Sequence, residues 1–191
     1  MKIITPTEFD VEKKNDLLYL GRIRAADYVW VHRSGRDNSS ANLECLARDL
    51  QGDILVTQTV NDDDWSWANQ HLSGKVGMDD IIFVSAGDLY RDPAINRKAR
   101  YISSELLAQI KPQLEDLGYV YADKYNGASL DEHGAESTLL EEATREAADY
   151  VILESSSVQD YTNAGFTEVQ EFIAISSGRI YKLKGKKQRM K

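Results

Sequence analysis

The chain has a single cysteine, Cys45, so no disulfide can close within it and no cysteine-rich zinc site can assemble. A reducing compartment suits such a chain. No run approaches the roughly 20 consecutive apolar residues that a bilayer-crossing helix requires, and the opening MKIITPTEFDVEKKND lacks the apolar stretch of a secretory signal. These absences set the expectation of a cytoplasmic protein with no membrane insertion. The familiar catalytic signatures are missing as well. GKVG at 74–77 lacks the GxxxxGK(S/T) spacing of a phosphate-binding loop, and no GxGxxG follows a strand. There is no GxSxG elbow, no HExxH pair and no cysteine with an evident histidine base.

What is present is globular material: 191 residues, 42% of them hydrophobic, enough for one sizeable core or two small ones. The net charge of −8 conceals an asymmetry. Six of the last ten residues (Lys182, Lys184, Lys186, Lys187, Arg189 and Lys191) are basic, and taking those six charges away from −8 leaves −14 for the rest. An acidic body repels nucleic acid. The basic tail at 184–191 reads as a disordered, solubilising end.

Nearly the same eleven residues occur twice, DIIFVSAGDLY at 80–90 and EFIAISSGRIY at 171–181. Ile82, Ser85, Gly87 and Tyr90 recur as Ile173, Ser176, Gly178 and Tyr181, and both copies have the β-branched and aromatic content of strands. The glycine in each predicts a bulge or turn. Upstream, ANLECLARDLQGDILVTQTV (41–60) parallels TLLEEATREAADYVILESSS (138–157), each reading as an amphipathic helix that runs into a buried strand. Thr138 and Glu141 have capping-box spacing, and Leu139, Ala143 and Ala147 share a helical face as Leu43, Ala47 and Leu50 do. Further strands are predicted at 17–31 and 118–125. Between the halves, Asp92, Pro93 and Gly118 mark the ends of a long helix over 92–117, with an apolar stripe from Ile95 to Leu117 and a kink at Pro112. The expected fold is α+β: two βαββ-like halves, 1–91 and 118–183, with mainly antiparallel sheet, joined by the 92–117 helix; the repetition reads either as an internal duplication or as the strand-like wording that any two βαββ units share.

The stretch EEATREAADYVILESSSVQDYTNAGFTEVQEFIAISSGRIYKLK (141–184) resembles the close of a family of small, ring-forming βαββ proteins named as heavy-metal-binding domains. That resemblance implies the βαββ fold. It implies no metal here, because the stretch holds neither cysteine nor histidine. ELLAQIKPQLEDLGYVYADKY, followed by AADYVILESSS, is similar to the helix-strand-helix-strand-strand order of periplasmic lipoproteins of the curli-secretion type. Those carry a signal peptide and a lipidated cysteine, which this chain lacks.

Two loops carry the candidate chemistry. In VWVHRSGRDNSS (29–40), His32, Arg33, Arg36 and Asp37 precede a predicted helix, where guanidinium forks and free backbone N–H groups suit an anion. The corresponding NGASLDEHGAEST places His133 among acidic neighbours. The plainer reading makes both of them capping loops. In NDDDWSWANQH (61–71), Asp62, Asp63 and Asp64 offer oxygens to a divalent cation and Trp65 and Trp67 offer flat apolar faces. The plainer reading is a solvated hairpin tip with its tryptophans folded back. Cys45 reads as a small buried hydrophobe, and Tyr119, Tyr121 and Tyr125 alternate with Val120 and Ala122 as a half-buried strand requires. The expected function is a non-enzymatic binding or assembly protein of unknown ligand, forming a homo-oligomer or engaging a protein partner. The alternative is a hydrolase or transferase acting on a small anionic substrate at loop 32–40.

Overall fold

Runs of β-branched and aromatic residues extend the chain into eight strands, and apolar side chains at helical spacing curl four segments into α-helices among the described residues. The computed structural model describes residues 1–9, 14, 16–30, 37–77, 80–160 and 170–185. In chain order these are β1 (Lys2–Ile4), β2 (Leu18–Trp30), α1 (Ser39–Asp49), β3 (Ile54–Gln58), α2 (Asp62–His71) and β4 (Asp80–Arg91). Then follow β5 (Arg100–Tyr101), α3 (Ser104–Ile110), β6 (Leu114–Gly127), α4 (Glu136–Arg145), β7 (Tyr150–Asp160) and β8 (Phe172–Leu183). No described helix is long and apolar enough to cross a membrane.

The chain divides into two compact units, one built from 1–95 and 105–113 and the other from 96–104 and 114–184. Each holds a four-stranded mixed sheet. The orders are β1-β3-β4-β2 and β5-β7-β8-β6, with the first pairing parallel and the other two antiparallel in both. The twin motifs at 80–90 and 171–181 therefore fall on the central strands β4 and β8, which carry hydrogen bonds on both sides. The fold is α+β with two sheet-bearing halves, as expected.

Matching details recur in both units. Gly21 (φ 129°) and Gly118 (φ 97°) sit at bulges in β2 and β6, a backbone region that side chains disfavour. Past the ends of α1 and α4, Gln51 (φ 55°) and Ala147 (φ 57°) turn left-handed. The next N–H in each then reaches back into the helix, Gly52 to the Ala47 carbonyl at 2.9 Å and Ala148 to the Ala143 carbonyl at 3.0 Å. Asp53 and Asp149 each donate their N–H to the tyrosine of the twin motif, Tyr90 and Tyr181, at 2.9 Å.

Leu43 and Ala47 of α1 and Leu139 and Ala143 of α4 are buried. In the second unit Leu139 and Ala143 pack with Val120, Ala122, Val151 and Ile180, and each fully buried aliphatic side chain contributes about 2 kcal/mol.

Several expectations need correction. Residues 92–117 are not one helix: β5, the short α3, a 3-10 turn at Lys111–Gln113 and the start of β6 divide the segment. Pro112 cannot donate to the preceding turn, and the N–H of Ile102 bonds to the Val151 carbonyl at 2.9 Å, which places that stretch against a sheet. Thr138 and Glu141 form no capping box, because α4 starts earlier, with Ala135 at its N-cap. Neither twin glycine lies in a turn. Gly87 sits in an unbroken ladder, and Gly178 faces Leu153, where β7 bulges. NDDDWSWANQH is helix α2, not a hairpin tip, and Cys45 is exposed.

Candidate functional site

Of the residues singled out in the sequence, His32, Arg33 and Arg36 lie outside the described residues, as do 186–191 of the basic tail. Asp37 is described and exposed, and its Oδ1 accepts the Ser39 N–H at 2.8 Å where α1 begins. His133 is exposed beside Glu136, with Nδ1 to Oε1 at 2.6 Å, and that hydrogen bond raises its pKa.

The three aspartates of α2 do not converge. Asp62 and Asp63 point to solvent, whereas Asp64 is fully buried. Asn61 caps the helix by accepting the Asp64 N–H at 3.1 Å, and the Asp64 carboxylate accepts the Asn61 N–H at 3.0 Å. The carboxylate also takes Nε of Arg22 at 3.0 Å and Nε of Arg24 at 2.6 Å. Burial pushes this carboxyl up, but the Arg22 guanidinium, the Asn61 N–H and Arg24 outweigh it and hold the group well below the usual carboxylate range. Its oxygens are taken by arginines and not offered to a cation. No group of three or more His, Cys, Asp or Glu side chains suited to a metal occurs among the described residues. Trp67 stacks on His71 with ring centroids 5.0 Å apart, and Trp65 is exposed.

Among the described residues, one concavity lies in the first unit, between α1 and the sheet. It is a cleft of about 200 Å³. Leu43 and Leu55 form its apolar wall, Ile3 and Val60 its rim, and Ser40, Ser85 and Thr57 bring hydroxyls. Glu44, the residue after Leu43, is the one charged residue among the described lining residues, and its Oε2 accepts from Arg48 Nη2 at 3.2 Å. Ser85 is held by two neighbours, its Oγ lying 2.8 Å from Ser39 Oγ and 3.1 Å from Ser40 Oγ. Thr57 donates to the Ile4 carbonyl at 3.3 Å.

Ladder register identifies the counterparts of these residues in the second unit. Ile3 pairs with Leu55, and Tyr101 with Val151. Thr57 faces Gly87, and Leu153 faces Gly178. The counterpart of Glu44, which follows buried Leu43, is Leu140, which follows buried Leu139. Tyr101, Leu140 and Leu153 pack against the second core, and the Tyr101 hydroxyl donates to the Glu136 carbonyl at 2.8 Å. Burial, then the Glu136 charge, pushes that phenol up to about 12. At these matching positions the second unit carries Tyr101, Leu140 and Leu153 in place of Ile3, Glu44 and Thr57.

The second unit has a more open groove of about 370 Å³ along α4, where Ser137, Leu140, Glu141, Thr144 and Arg145 meet Lys98 and Ala99. Arg145 is already paired with Glu142 there.

The serines and Thr57 escaped the sequence reading because no motif joins them. The signal that could have found them was the substitution of Leu140 and Leu153 for Glu44 and Thr57 within the two parallel stretches. No known protein family, curated protein or solved structure matches the chain.

Proposed function

We propose that this is a non-enzymatic binding protein of the cytoplasm, that its ligand sits in the cleft between α1 and the first sheet, and that the two halves descend from one duplicated unit. The observation that carries this reading is the contrast at matching positions. Ile3, Glu44 and Thr57 border open space, whereas Tyr101, Leu140 and Leu153 at the matching positions pack against the second core. A volume of about 200 Å³ falls below the range for drug-sized ligands, so the ligand is small. Ser40, Ser85 and Thr57 can exchange hydrogen bonds with hydroxyl or amino groups, which suits a small polar molecule.

Native mass spectrometry of the purified protein, set against its denatured mass, tests this directly. The expected result is a retained small mass. That mass disappears in the triple variant Ile3→Tyr, Glu44→Leu and Thr57→Leu, which imports the side chains of the second unit, while circular dichroism and melting stay unchanged. A bare chain mass for the unaltered protein, or retention that survives filling the cleft, would overturn the reading. Loss of the mass on Arg36→Ala instead would move the site to loop 32–40 and favour an enzyme acting on a small anion.

A further inference from the structure

Both sheets end on a long strand, β2 in the first and β6 in the second, and the two edges are treated differently. An edge strand presents a row of unpaired N–H and C=O groups that templates further pairing. On β2 that row is answered by α3. The Arg24 N–H donates to Gln109 Oε1 at 2.8 Å, and Gln109 Nε2 donates back to the Arg24 carbonyl at 3.4 Å, so one amide side chain imitates a ladder rung. Arg24 pairs with Ala86, and its counterpart on β6 is Tyr121, which pairs with Ser177. From Tyr119 to Tyr125 the backbone groups turned away from β8 bond to no described residue. Tyr121 is 69% exposed. The opposite edges, β1 and β5, are only three and two residues long.

We infer that β6 is a homodimer seam, pairing antiparallel with β6 of a second copy of this chain about a twofold axis at Ala122. The sequence of the strand supports that occupant. Between the bulges the ladder runs unbroken from Gly118 to Tyr125. By the period-two rule Tyr119, Tyr121, Asp123 and Tyr125 all turn their backbone groups outward. Centred on Ala122, the seam sets Tyr121 opposite Asp123 of the second copy and Tyr119 opposite Tyr125. It also sets Lys124 opposite Val120, so no like charges meet between 118 and 126. Each tyrosine hydroxyl at 121 can donate to a carboxylate at 123, and the four outward-facing pairs supply about eight backbone hydrogen bonds. Pairing of this kind closes at two copies, because each copy offers the same single strand.

The seam is independent of the cleft, which lies in the other unit. Its test is the mass of the full chain in solution at about 100 µM, a concentration that populates even a contact of micromolar affinity. Light scattering coupled to size exclusion is expected to give twice the chain mass, with slowed hydrogen exchange at the Tyr121 and Asp123 amides relative to dilute protein. Tyr121→Pro removes the outward N–H together with the phenol, and Tyr121→Lys places a charge on the edge without altering the backbone. Both are expected to give monomers with unchanged melting, and Tyr121→Lys decides the matter if the proline variant fails to fold. A monomer at 100 µM, a dimer that persists in folded Tyr121→Lys, or assemblies that grow beyond two copies would each overturn the proposal.

Discussion

Asp64 closes the cap of α2 and holds two arginines of β2 on one fully buried carboxylate. Three consecutive aspartates suggest a cluster of oxygens, but helical geometry sends adjacent side chains in different directions, and Asp64 turns inward onto β2. Arg22 and Arg24 lie forty or more residues away in the chain, which is why local spacing could not reveal the pairing. Each arginine side chain retains 23% exposure while the carboxylate has none. Asp64→Asn strands two partly buried guanidiniums and is expected to cost about 3 kcal/mol, the low end for breaking a buried pair. Because the folded carboxyl titrates below its ordinary value, its stabilisation is fully present above about pH 4 and is lost as pH falls toward the depressed folded value. Urea melts from pH 7 downward are expected to show an acid-dependent loss that the Asn variant lacks. Parallel pH profiles for the two proteins would sink this account.

At the scale of elements, the strands were legible because β-branched and aromatic residues crowd into them, and the order helix, strand, strand could be read from both halves. The segment 92–117 was not. Of the stripe, Ala99, Ile102, Leu106, Ile110 and Leu114 are buried, but its ends Ile95 and Leu117 are exposed. Yet only Leu106 and Ile110 share a helix, whereas Ala99 and Ile102 flank β5 and Leu114 opens β6, since sparse apolar residues three or four apart satisfy a short helix and the strands flanking it equally well. The cleft was illegible for another reason: it depends on side chains that are smaller or more polar than their counterparts, and no local pattern records that. The glycines were legible as special positions but not in kind. At Gly118 the cause is conformation, with φ 97° and nothing within 4 Å of an added Cβ. At Gly178 the cause is space, because a Cβ would lie 2.5 Å from the Ile152 carbonyl oxygen and 3.1 Å from Val151 Cγ1. Gly178→Ala must push β7 away from β8 and is expected to cost about 2 to 3 kcal/mol, as overpacking does. Gly118→Ala is expected to cost about 1 to 2 kcal/mol through backbone strain alone. Denaturant midpoints would rank them, and faster exchange of amides in β7 is expected for Gly178→Ala only.

At the scale of the whole molecule, the division of the chain matters more than the resemblance of its halves. The segment 105–113 belongs to the first unit, although in sequence it interrupts the second between β5 and β6. Each unit is small enough to be marginal on its own surface-to-volume ratio, and the chain joins them at both ends of that segment. Freeing β5 and β6 releases both anchors of α3, whose docking then bears the full entropic cost of ordering a free helix. The Gln109 rung against Arg24 is accordingly predicted to depend on the second sheet. Val151 and Leu55 are fully buried in the second and first units respectively. Val151→Asp and Leu55→Asp, each burying an unpaired carboxyl, are expected to lower the same single melting transition. Val151→Asp should also speed hydrogen exchange at the Arg24 amide, which belongs to the other unit. Calorimetry showing two transitions with only one displaced, together with an unchanged rate at Arg24, would mean that the interleaving is a matter of connectivity without energetic consequence.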